Sequence, residues 1–387
     1  MTTLAPLKAQ LGDQLGRLVA MRSVSSGDPR LDCGNRGVVE LLADWCAARG
    51  FAIELQPVGR HPDKLNLIAT RGAGDDGLVL AGHTDTVPCD PALWTSDPFV
   101  LSERDGRWYG LGTADMKCLF PAALAAVDRL EGAARAKPLT ILATADEETS
   151  MAGARALVAA GRRLGRYAII GEPTGGRPIA AHKGVAQLGV ALAGKSGHAS
   201  NPALGNNALD GMRQVLNALA AWREDLARTH RCEDFDVPQP TLNFGAIRGG
   251  DNANRICGHC ELLLDLRFVP GQDPAATIAA LRARVAAAIA DSGLGCEVRE
   301  LMEAIPAHAT PREGALVRLA ESITGQRAGA VSFATEAPFL TALGVETIVL
   351  GPGHIAQAHQ PDEYVEIDAL LRMVERLAQF IARLCSP

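Results

Sequence analysis

The chain lacks the marks of several protein classes. No block of lysine and arginine stands out and the formal net charge is −6, so nucleic acid is not an expected partner. No apolar stretch reaches the roughly 20 residues that span a bilayer, so no membrane partner is expected either. Residues Met1 to Met21 mix Lys8, Asp13 and Arg17 among apolar side chains, and read as an amphipathic helix, not a signal peptide. Cytoplasm is the default location. A disulfide framework is also missing, since the cysteines number nine, an odd count, scattered from Cys33 to Cys385. Cys257 and Cys260 form the one close pair, without the second pair of a zinc ribbon. Residues three apart on a strand point to opposite faces, which favours packing over chelation for this pair. No internal repeat is present.

What is there suits a large globular core. At 387 residues, with 47% hydrophobic and 21% charged, two domains are expected. Four short apolar runs each lead into a metal-ligand type of residue. Leu78 to Gly82 runs into His83 and Asp85; Leu139 to Ala143 into Asp146, Glu147 and Glu148; Tyr167 to Gly171 into Glu172; and Thr347 to Gly351, after a Gly/Pro turn, leads to His359. Buried parallel strands read as such runs. Open α/β sheets carry their chemistry just beyond the carboxyl ends of the strands.

Helical spacing over 37–49, 117–130 and 152–164 alternates with these runs and predicts a mostly parallel sheet covered by helices. From 181 to 302 the order changes to strand, helix, two strands, helix, strand, the split βαβ order of a small α+β sandwich. The βα pattern then resumes. The expected organisation is an α/β catalytic domain over 1–180 and 303–387, with an inserted α+β domain over 181–302.

His83, Asp115, Glu148, Glu172 and His359 form a candidate metal set on five loops. Imidazoles and carboxylates, with a position left for water, suit a hydrolytic zinc site, and a carboxylate can bridge two ions. Alone, any one of these side chains reads as a surface or hydrogen-bonded residue; jointly, at matching strand ends, they read as ligands. Asp85 could cap or, as a second carboxylate beside a ligating histidine, fix the tautomer of His83. Glu147 and Glu148 read as helix N-terminal acids or as a base and a ligand, because neighbouring side chains diverge. Asp115 is expected at the start of a helix. His198 stands in an ordinary glycine turn.

These motifs together resemble the two-zinc amidohydrolase and exopeptidase family, over nearly the whole chain and in order. The likeness rests on Ala81 to Pro88, Asp146 to Ala154, Ile170 to Thr174, His182 to Gly184, Gly249 to Cys257, Thr335 to Pro338, Leu350 to Gly353 and Gln357 to Tyr364. It implies a zinc-exopeptidase-like catalytic domain and an inserted lid and dimerisation domain. It also implies two zinc ions per subunit, with cobalt as a substitute. His83 and Glu172 would hold one ion, Glu148 and His359 the other, and Asp115 both. Glu147 would be the general base and acid. His198 would reach from the partner subunit of a homodimer to polarise the amide carbonyl. Asn254 and either Arg255 or Arg267 would bind the α-carboxylate of a small N-acyl amino acid. The two arginines, 12 apart, share a face if the strand is regular.

The nearest likeness within the family is to members that deacetylate N2-acetyl-L-ornithine in arginine biosynthesis. The alternatives are hydrolysis of another N-acyl amino acid, such as acetylcitrulline or a succinylated amino acid, or of a dipeptide. By position, Glu336, Asp362 and Glu363 are candidates to meet a substrate ammonium. The family implies a cis peptide between Asp115 and Met116. It usually has glycine where this chain has Cys118, which would be strained if the backbone there needs a positive φ.

Overall fold

The computed structural model describes residues 4–59, 61–131 and 136–385. The chain divides into two compact units, one comprising 1–180, 310–329 and 335–387, the other 181–309 with 330–334. The insertion therefore ends near 309, not 302. Its last long strand, Gly295–Ile305, runs past the segment that alternates clearly in sequence.

The four apolar runs are the centre of the first unit's sheet. Strands Leu139–Thr144, Leu78–His83, Tyr167–Ile170 and Glu346–Val349 lie side by side and parallel. Every residue of the first three is buried, as expected where helices cover both faces. The flanks are antiparallel. Leu65–Arg71 pairs with Leu139–Thr144, and Ala52–Pro57 lies outside it. At the other end Ile179 pairs antiparallel with Val349. The helices Leu119–Arg129 and Ile367–Cys385 pack against each other. The second repeats apolar residues at helical spacing, burying Leu370, Met373, Val374, Leu377, Phe380 and Ile381.

The second unit holds a four-stranded antiparallel sheet in the order Thr241–Gly249, His259–Phe268, Gly184–Ala193, Gly295–Ile305. His259–Phe268 buries alternate residues (Cys260, Leu262, Leu264, Leu266, Phe268), the period-2 pattern of a one-sided sheet. Helices Ala208–Thr229 and Pro274–Ala288 share that core through Met212, Val215, Leu219, Leu281 and Val285. Asn207 and Asp273 cap them by accepting from the N–H of Leu209 and Ala275. Cys257 and Cys260 both bury in this core. Cys257 precedes the strand, so the strand rule does not send it to the opposite face; packing is nonetheless what both thiols do. All nine cysteines are free. Among the described residues no helix is long and apolar enough to cross a membrane.

Candidate metal centre

His83 closes its strand, Glu172 stands two residues beyond Tyr167–Ile170, and Glu147 and Glu148 follow Leu139–Thr144 in a turn. They are not at a helix start; the next helix begins at Ala152. Asp115 likewise lies in a turn, four residues before Leu119–Arg129. His359 comes from the loop after Glu346–Val349 and has a φ of 59°, an uncommon backbone setting for a residue with a side chain. All six side chains belong to the first unit.

Asp115 divides its oxygens. Oδ1 is 3.1 Å from His83 Nε2, and Oδ2 is 3.6 Å from His359 Nε2. His83 Nε2 is also 3.8 Å from Glu172 Oε1, and His359 Nε2 is 3.0 Å from Glu148. Ligand atoms of His83, Asp115 and Glu148 lie within 4.8 Å of one another, as do those of His83, Glu147 and Glu172. The structure thus brings the five metal candidates and Glu147 to one place. The peptide between Asp115 and Met116 is cis.

The electrostatics are those of a site short of positive charge. Burial, then the charge of Glu172, drives the Glu147 carboxyl well above its ordinary range. Burial, then Asp115, does the same to Glu172 and raises Glu148. The Glu148 hydrogen bond raises His359. For His83 burial works downward, but the Asp115 hydrogen bond and the surrounding carboxylates outweigh it. Packed carboxylates with only two imidazoles draw protons unless cations replace them. The residues fit divalent ions: the donors are nitrogen and oxygen only, and buried Glu172 Oε1 has no hydrogen-bond partner among the described residues.

Asp85 corrects an expectation. Its carboxylate is 3.7 Å from His83 Nδ1, whereas its backbone carbonyl is 2.9 Å away and fixes the ring. The carboxylate instead accepts from the N–H of Glu147 at 3.2 Å and of Glu148 at 3.1 Å. It holds the backbone of Glu147 and Glu148, not the imidazole.

Lys64 and Ser25 were missed in sequence. Asp146 has a φ of 57° and accepts from buried Lys64 Nζ at 2.6 Å and from Ser25 Oγ at 2.9 Å. Nothing in the local pattern around Lys64 marks it. Glu336 Oε2 accepts from Thr144 Oγ1 at 2.8 Å, and burial pushes this carboxyl up to about 7. Glu363 accepts three backbone N–H bonds; burial outweighs the downward pull of those donors and raises its carboxyl to about 8. Asp362 accepts from Thr95. Both oxygens of Glu363 are thus engaged, whereas buried Glu336 Oε1 has no hydrogen-bond partner among the described residues. Cys118 has φ −64° and ψ −21°. Its backbone is right-handed and unstrained, and its thiol is buried, so it packs.

In the second unit His198, Asn254 and Arg255 are neighbours. His198 and Arg255 form an isolated bridge, and Ala199 N–H donates to the Asn254 carbonyl. All three are exposed. The shared-face argument for Arg255 and Arg267 fails, because Arg255 lies in the loop before His259–Phe268. Arg267 forks onto Asp265 at 2.8 and 3.1 Å, and Arg255 reaches Asp251 at 2.6 Å.

Histidines and carboxylates gathered at the ends of parallel strands define a metal-dependent hydrolase. Residues 79–383 match the model of peptidase family M20/M25/M40, and the chain belongs to that family. It is 45% identical to an acetylornithine deacetylase of Edwardsiella ictaluri (strain 93-146), over 95% of this chain and 96% of that one. It is 43% identical to an acetylornithine deacetylase of Pasteurella multocida (strain Pm70), over the same shares. Among solved structures, it is similar to the aminopeptidase PepT of Bacillus cereus, with a TM-score of 0.76 at 19% identity, covering 97% and 98% of the two chains. A metallo-carboxypeptidase of Sulfolobus solfataricus gives 0.75 at 18%, covering 95% and 97%. The chain is a metal-dependent amidohydrolase with an α/β catalytic fold.

Proposed function

We propose that this enzyme hydrolyses the N-acetyl amide of N2-acetyl-L-ornithine to L-ornithine and acetate, in the cytoplasm and within arginine biosynthesis. It would use two zinc ions per subunit, which cobalt can replace. The observation that carries the two-ion reading is the division of the Asp115 oxygens between His83 and His359. Identity of 43–45% to acetylornithine deacetylases supports the substrate. His83 and Glu172 are assigned to one ion, Glu148 and His359 to the other, and Asp115 to both. When bound, the ions would supply Lewis acidity and lower the pKa of a water to about 7.

Glu147 takes the proton of the attacking water and returns it to the departing amine. Its carboxyl, buried close to His83 and Glu172, must hold that proton between the two steps. Asp85 keeps Glu147 in place through its backbone N–H. His198, contributed by the partner subunit of a homodimer, donates to the developing oxyanion. Asn254 and an arginine receive the substrate α-carboxylate in a two-pronged contact. Arg255, beside Asn254 and His198 and bound to Asp251 through one nitrogen, is favoured over Arg267, which forks two nitrogens onto Asp265.

The test is kcat/KM on N2-acetylornithine, acetylcitrulline and succinyl-diaminopimelate with zinc- or cobalt-loaded enzyme. N2-acetylornithine should be the best of the three; preference for either other substrate overturns the assignment. His198→Ala should cost about 10²–10³ in kcat, the scale of one oxyanion donor. A fully active monomer would exclude the role in trans.

A further inference from the structure

We propose that Glu363 is a positioning residue for the bridging carboxylate, acting on Asp115 through the main chain. The inference rests on the two-ion reading of the site. Glu363 is buried. Its Oε2 accepts from Gly112 N–H at 2.9 Å, and its Oε1 from Ala114 N–H at 2.7 Å and Asp115 N–H at 3.0 Å. Its own carbonyl accepts from Gly110 N–H at 3.0 Å. One residue thus grips the turn from Gly110 to Asp115 at four points, the last being the amide of the bridge itself.

The turn can present its N–H groups this way only with glycine at 112. There φ is 81°, and a Cβ would lie 2.9 Å from Thr86 Cγ2. Successive N–H groups converging on one carboxylate form a backbone anion cradle. Both oxygens are engaged, so Glu363 does not serve as a substrate contact.

The same loop supplies His359 four residues earlier. It therefore delivers a ligand to one ion directly and sets the ligand shared by both indirectly. Loss of the Glu363 grip should disturb the shared ligand without removing any donor. Glu363→Gln preserves size but leaves a single acceptor oxygen. Its NH2 group would then face either the Gly112 N–H or the pair from Ala114 and Asp115.

The experiment titrates metal-free wild type, Glu363→Gln and Glu363→Asp with Co2+, followed by calorimetry and by the visible absorption of the bound ion. Melting of the metal-free proteins is recorded alongside. Wild type should bind two ions. Glu363→Gln should bind the weaker ion about 10–100-fold less tightly, the usual scale for a partner of a metal ligand, with an altered cobalt spectrum. Glu363→Asp, which keeps both carboxyl oxygens and shortens the reach, should recover part of the affinity. Wild-type affinity and spectrum in both variants, or lower melting with unchanged metal binding, overturns the positioning role and leaves the two-ion reading standing. A wild type that binds a single ion overturns that reading and this inference with it. Should Glu363→Gln not fold, the Glu363→Asp titration decides alone.

Discussion

Asp115 turns one carboxylate oxygen toward His83, with Oδ1 3.1 Å from Nε2. The other oxygen is left to His359, 3.6 Å away. A carboxylate facing two imidazoles, one closing Leu78–His83 and one in the loop after Glu346–Val349, is placed to serve two ions. Everything assigned to the site depends on that division of labour.

Glu147→Gln separates proton transfer from metal binding. The amide keeps the shape and the backbone bond to Asp85 but cannot take a proton. Metal content should stay at the wild-type level while kcat falls by about 10²–10⁴, the range of general acid–base catalysis. Metal analysis and steady-state kinetics on one preparation check this. Wild-type turnover in the variant would remove Glu147 from the mechanism.

Cys118→Gly restores the residue usual in the resembled family. Because φ is −64°, glycine relieves no strain here. It adds unfolded-chain entropy and removes a fully buried side chain. Urea unfolding should show a loss of roughly 1–3 kcal/mol, with activity unchanged. In the folded wild type, burial pushes the thiol pKa upward, so a thiol reagent should not label Cys118.

His182 makes the second unit sensitive to acid. Its Nδ1 lies 2.9 Å from the Lys183 carbonyl, and its buried Nε2 has no partner among the described residues. Burial, and then His308, lower its pKa to about 3. The folded pKa lies below the ordinary 6.5, so the unfolded chain takes up the proton first as pH falls. Stability is complete above about 6.5 and is lost progressively toward 3. The loss at pH 5 should be about 2 kcal/mol. His182→Asn should flatten this slope, read as the difference between the two proteins in denaturant unfolding from pH 7 to pH 5. Equal slopes would contradict the assignment.

The centre of the fold was legible because buried parallel strands leave continuous apolar runs, and all four runs became adjacent strands. The flanks were less legible. Ala52–Pro57 is almost entirely exposed, so it carries no apolar run. The candidate ligands that the structure brings together could be picked out because each follows a run or lies in a motif. What the sequence hid were contacts made through the main chain. Asp85 holds two backbone N–H groups, and Glu363 reaches across about 250 positions to hold three. Backbone donors carry no residue signature. The pairing of Arg255 with Arg267 failed for a related reason: alternation in sequence extended the strand past its true start at His259.

The most direct test of the account is the metal count of Asp115→Asn beside wild type, measured by calorimetric titration of the metal-free proteins with Zn2+. Wild type should take up two ions per chain, and the variant should lose tight binding at both positions together, because one residue serves both. Loss at one position with the other untouched, or two tight ions in the variant, would contradict the bridge.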